Sequence, residues 1–148
     1  MNPEAVIPFL LRAKKATYAA KGAEAVPTRP LSHDLHYEEP PQLYIDTYLG
    51  GKKFAGEEAV WTGGTPIWSM NYYGRVLSDL FDGDVLKEAL LAVDADMPFR
   101  GPELFTLGDY TYTCSVTGTF EFFSGAEHIT VDGTTIYECV FHGGLIAE

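Results

Sequence analysis

Several residue types are scarce in this chain of 148 residues, and each shortage argues against a class of function. Ten Lys and Arg stand against 21 Asp and Glu, a formal net charge of -11, so the molecule as a whole repels phosphate backbones and anionic lipid. The basic residues gather only as Arg12-Lys14-Lys15-Lys21 and Lys52-Lys53, well short of a nucleic-acid stripe. Neither autonomous nucleic-acid binding nor membrane insertion is expected. The most apolar opening stretch, Ala5 to Leu11, is short, contains Pro8 and precedes its positive charges, the reverse of a secretory leader, so a cytoplasmic location is expected. There are two cysteines, Cys114 and Cys139, in separate predicted strands and with no CxxC. That is a weak case for structural zinc; reduced, buried thiols are the expectation, with a cross-sheet disulfide geometrically open. The glycine pairs beginning at Gly50, Gly63 and Gly143 form no GxGxxG or phosphate loop, and Ser69 sits in no nucleophile elbow. No cofactor is expected.

What is present suits a compact fold. Hydrophobic residues make up 46% of the chain, enough for the core of a single α+β domain over residues 1–148. Pro3 to Ala16 reads as a helix capped by Asn2, with Val6, Phe9, Leu10 and Ala13 on one face and Pro8 near its first turn. Thr17-Tyr18 reads as a short strand, and the stretch on to Pro30, including Lys21 and Gly22, as a loop. A strand at His33 to Glu38 precedes the central stretch, Leu43 to Arg75, which contains three strands in a meander. Gly74 ends that run, and Arg75 to Val93 reads as a mostly helical segment interrupted at Asp82-Gly83-Asp84, followed by a connection from Asp94 to Leu107. Four strands follow from Asp109, with breaks at Thr117-Gly118 and Ser124-Gly125, a hairpin across Asp132-Gly133 and an end at Gly143-Gly144. The predicted architecture is a curved, mainly antiparallel sheet of seven or eight strands against an N-terminal and a central helix.

Two sets of residues are candidates for chemistry. Trp61, Trp68, Asn71, Tyr72, Arg75 and Tyr110 combine aromatic walls with polar contacts and are the expected lining of a small-molecule pocket, although aromatics also favour strands for packing alone. His36, Glu57, Glu58 and His142 are the catalytic candidates, for acid–base or metal-assisted work. Since Glu57 and Glu58 point to opposite faces of a strand, one must enter the buried face. There it needs a partner, for which Arg75, Arg100 or a histidine is available.

The wording of FLLRAKKATYAAKGAEAV, RPLSHDLHY, LYIDTYLGGKKFAGEEAVW, IWSMNYYGRV, GDYTYTCSV and IYECVFHGG resembles a bacterial domain family of unknown function, from Phe9 to Gly144. That family occurs free-standing or behind a helix-turn-helix domain in some regulators. The resemblance implies a ligand-sensing or oligomerising role; it assigns no chemical role to any residue. Because the sequence begins at the domain itself, a DNA-linked role is not expected. Three readings result: a small-molecule-binding, sensor-like domain; an acid–base or metal-assisted enzyme; and a homodimer built on a sheet edge.

Overall fold

The computed structural model describes residues 2–19 and 23–148, so Lys21 and Gly22 lie outside the described residues. One eight-stranded antiparallel sheet dominates, with strand order β1-β2-β3-β4-β8-β7-β6-β5. Its first half is a meander of β1 (His33–Glu39), β2 (Gln42–Gly50), β3 (Lys53–Thr62) and β4 (Thr65–Val76). The second half is a meander of β5 (Leu104–Leu107), β6 (Tyr110–Thr119), β7 (Phe122–Val131) and β8 (Thr134–Leu145). The halves join where β4 pairs with β8. The sheet is curved, and helices α1 (Ile7–Ala19) and α2 (Gly83–Leu91) cover one of its faces. This is the predicted α+β class with its two helices.

Side chains alternate across each strand, so the register defines an inner face under the helices and an outer face. The inner face carries Tyr44 and Asp46 of β2, Glu58 and Val60 of β3, Trp68, Met70 and Tyr72 of β4, Tyr112 and Cys114 of β6, Glu127 and Ile129 of β7, and Tyr137, Cys139 and Phe141 of β8, all buried. Trp68 stacks on Phe120 with centroids 5.1 Å apart and donates from Nε1 to the Phe120 carbonyl at 3.2 Å. Val6, Phe9, Leu10 and Ala13 close the core from the α1 side.

Several boundaries differ from the sequence expectation. Thr17 and Tyr18 continue α1 instead of forming a strand; the Thr17 hydroxyl donates to the carbonyls of Ala13 and Lys14, a bond that suits a β-branched residue inside a helix. Pro8 falls in the first turn of α1, where no backbone donor is required. Arg75 and Val76 belong to β4, paired with Glu138 and Tyr137, and α2 starts only at Gly83 behind its cap, Asp82. Leu104 to Leu107, read as connection, is the edge strand β5. Glycines read as breaks lie within strands: Gly125 in β7, and Gly143 and Gly144 in β8. They break nothing because their flanking residues stay paired, and at Gly125 the missing side chain leaves room for the Phe141 ring.

The two meanders repeat one another. Phe54, Gly56 and Glu58 of β3 recur at one fixed spacing as Phe123, Gly125 and Glu127 of β7, and Tyr72 and Gly74 of β4 as Phe141 and Gly143 of β8. Gly56 lies under the Tyr72 ring as Gly125 lies under Phe141, and Gly74 under Phe54 as Gly143 under Phe123. The register shift between Val60 and Trp61 has its counterpart between Ile129 and Thr130. In β2 and β6, Tyr44 and Asp46 face Val60 and Glu58 as Tyr112 and Cys114 face Ile129 and Glu127.

Candidate functional site

The inner face holds three buried carboxylates, and their surroundings differ. Glu127 Oε1 accepts from Arg100 at 2.9 and 2.6 Å and from the Tyr137 hydroxyl at 2.9 Å, while its second oxygen accepts from Tyr112. Tyr112 in turn accepts from the Gly101 backbone N–H at 2.9 Å. Glu58 Oε1 accepts from Lys14 of α1 at 2.8 Å and from Tyr44. Lys14 also donates to the Phe99 carbonyl at 2.6 Å. Glu58 Oε2 is buried and has no hydrogen-bond partner. Asp46 stands directly across the strand pair from Glu58 and accepts from the Tyr72 hydroxyl at 2.6 Å. Unlike the two glutamates, Asp46 makes no ion pair among the described residues.

The physical consequences follow from burial. Removal from water, reinforced by the facing Glu58, pushes the Asp46 carboxyl up to about 7, against the opposing pull of Tyr72, Arg100 and Lys14. Burial likewise lowers the Lys14 ammonium below the usual lysine range, with Glu58 opposing. The thiols of Cys114 and Cys139 are free, flank Glu127 in the register and are pushed up by burial to about 12, which leaves them inert as nucleophiles.

A cavity of about 530 Å³ opens over the first half of the sheet, between it and the helices. Asp46, Tyr72 and Arg100 form its polar floor; Leu35, Tyr48, Phe54, Leu86 and Leu90 supply apolar wall. Glu24, His33 and Lys87 stand at the rim, where His33 stacks on Tyr48 with centroids 4.8 Å apart and lies 2.7 Å from Glu24. The Arg100 guanidinium sits over the Tyr72 ring, 5.1 Å from its centroid. A cavity of this size, mostly apolar with a few convergent polar groups, suits a small organic molecule.

Of the six residues expected to line a pocket, Tyr72 borders this cavity and the other five do not. Trp68 is fully buried in solid packing on the inner face. Trp61 is half-buried beyond the bulge in β3, and Asn71 faces outward. Arg75 pairs with Glu138 at 2.7 Å on the outer face, and the Tyr110 hydroxyl donates to the Leu80 carbonyl at 2.8 Å. Among the catalytic candidates, Glu57 and His142 share one cross-strand row of the outer face with Asn71 between them, and His36 lies exposed in a neighbouring row. Glu58 alone turns inward, and its cation is Lys14 rather than Arg75, Arg100 or a histidine. Thus Glu58 does not meet the other three. Among the described residues, no group of three or more His, Cys, Asp or Glu could hold a metal ion. No described helix is long and apolar enough to cross a membrane.

A family profile matches residues 46–146, from Asp46 through the second meander. The chain belongs to the family described as the domain of unknown function DUF5680. The DUF5680 match includes the three buried carboxylates of the inner face and Arg100, whereas Lys14 of α1 precedes it. No curated protein and no solved structure was found to match the chain.

The residue types alone gave no role to Asp46 or Lys14 and offered Arg100 as a partner for Glu57 or Glu58, whereas it pairs with Glu127. One signal for them was in the sequence: the repeated Phe-x-Gly-x-Glu, each copy preceded by a strand whose tyrosine is followed two positions later by Asp46 in one half and Cys114 in the other.

Proposed function

We propose that the protein is a small-molecule-binding, sensor-like domain whose ligand occupies the cavity over Asp46, Tyr72 and Arg100. One observation carries the reading. Two halves of the sheet share one layout, and the half in which Asp46 replaces a thiol is the half that opens into an apolar-walled cavity. A buried carboxyl without an ion-pair partner is costly to keep, and such groups concentrate at functional sites.

The test uses a neutral dialkylaminonaphthalene ketone fluorophore as the probe. Saturable binding is expected in the parent chain. Leu86→Trp fills the apolar wall and abolishes binding without changing the circular dichroism, while Trp61→Ala, outside the cavity, leaves it intact. Binding that ignores Leu86→Trp overturns the proposal. The facing of Asp46 and Glu58 favours a second reading, acid–base turnover of the bound molecule with Asp46 as the proton carrier. It requires product formation that disappears in Asp46→Asn.

A further inference from the structure

Among the described residues, the buried charge on the inner face is unbalanced by one. Glu58 and Lys14 form one closed pair, and wherever the shared proton rests that pair sums to zero. Glu127 and Arg100 form a second neutral pair at 2.6 Å. Asp46 is the third carboxylate, 4% exposed, and the described residues supply it with a hydroxyl from Tyr72 but no ion-pair partner. In the other half the equivalent residue is Cys114, which carries no charge and faces a glutamate whose two oxygens are both occupied. The half that needs an outside positive charge is therefore the half with the cavity.

From this balance we infer that the cavity takes a small apolar or aromatic molecule bearing a single cationic nitrogen, an ammonium or amidinium, placed on the Asp46 carboxylate. The inference rests on the cavity being a ligand site, as proposed above. Such a head group supplies the missing positive charge and shorter, stronger hydrogen bonds than a neutral donor would make. The Tyr48 and Phe54 rings in the wall provide aromatic surface for the cation's flanks and for an apolar tail. The net charge of -11 draws cations toward the molecule and repels carboxylates. Glu127 engages Arg100 through two of its donors, and a ligand carboxylate on the cavity floor would stand against the Asp46 carboxylate.

Binding of a cation must then be linked to the Asp46 proton, since a protonated Asp46 offers no charge to pair. The charged and titratable groups around Asp46 are Lys14 of α1, His33 of β1, Tyr48 of β2, Glu58 of β3, Tyr72 of β4, Lys87 of α2, Arg100 beyond α2, and Glu24 at the rim. Of these, His33 is an imidazole at the rim, 2.7 Å from Glu24, and its contribution is separated by His33→Gln.

Three matched probes, benzylamine, benzyl alcohol and benzoate, titrated by ligand-observed NMR at pH 5 and pH 8, test the inference. Benzylamine is expected to bind at least about tenfold tighter than either analogue at pH 8, and to weaken at least about tenfold at pH 5, as Asp46 takes up its proton. Asp46→Asn should erase the preference for benzylamine over benzyl alcohol, and His33→Gln should keep the pH dependence. If benzyl alcohol or benzoate binds the parent chain as tightly as benzylamine, or if Asp46→Asn keeps the preference, the cationic ligand is ruled out and the cavity reading stands. If none of the three binds the parent chain, both are ruled out.

Discussion

Glu58 and Glu127 occupy equivalent places in the two halves of the sheet. Each accepts from a tyrosine of the preceding strand and from a cation that comes from outside the sheet. Around Glu127 every acceptor is used: Arg100, Tyr112 and Tyr137 surround it, and Cys114 across the strand adds only a small, nearly apolar group. Around Glu58 the arrangement stays open, with Oε2 unpaired and Asp46 across the strand instead of a thiol. The comparison separates two uses of one motif. A saturated buried ion pair fixes how a helix or loop docks on the sheet; an unsaturated one beside a cavity keeps free-energy in reserve for something that binds.

The sharpest way to break the comparison is to make the closed half resemble the open one. Cys114→Asp puts an unpaired carboxylate opposite Glu127 with no cavity to relieve it, and should cost about 4 kcal/mol or more at pH 8 in urea unfolding, with a smaller loss at pH 5. Next in size, Glu127→Ala leaves Arg100 buried without its carboxylate and should cost about 3–5 kcal/mol; the double change Arg100→Met with Glu127→Leu should recover most of that.

Asp46→Asn sharpens the comparison from the other side. At low pH both the folded and the unfolded chain hold the Asp46 proton. Between about pH 4 and the folded value of about 7, only the folded chain holds it, so stability from this group falls as pH rises through that window and stays low above it. The variant should therefore be more stable than the parent at pH 8, by on the order of 2–4 kcal/mol, and nearly equal to it at pH 4. A parent chain whose stability is flat between pH 4 and pH 7, with Asp46→Asn flat as well, contradicts the assignment.

Smaller effects test the repeat itself. Gly56→Ala and Gly125→Ala each push a methyl group into an aromatic ring of the neighbouring strand, Tyr72 or Phe141, and should each cost about 1–3 kcal/mol. Gly56→Ala alone should also disturb probe binding, because Tyr72 lines the cavity and Phe141 does not. Least of all, Arg75→Ala breaks an exposed outer-face pair with Glu138 and should change stability by no more than about 1 kcal/mol, with binding unaffected.

Much of the fold was legible because alternation and turn chemistry are local signals. The hairpins at Gly50-Gly51, Gly63-Gly64 and Asp132-Gly133 are where the sequence predicts them, and the helices at both expected places are present. Strand ends were less legible. Gly74, Gly125 and Gly143 read as terminators, yet each is the partner of an aromatic ring on the adjacent strand, a relation visible only once the strands are paired. In β2 the polarity pattern pointed the wrong way for intuition: Leu43, Ile45 and Leu49 face outward or toward an edge, while Tyr44, Asp46 and Tyr48 face the helices. That inversion hid the site, since a buried carboxylate is legible only with its partners, and here these come from α1, β4 and the segment after α2.

The sequence by itself determined the α+β class, the local hairpins and a strongly acidic surface, all of which depend on neighbours a few residues apart or on simple composition. Only the tertiary structure decided that Lys14 meets Glu58, that Arg100 meets Glu127, and that Asp46 makes no ion pair among the described residues. The reason is distance along the chain. An ion pair between residues 44 positions apart leaves no local pattern, and whether a buried charge is balanced depends on every element that packs over it.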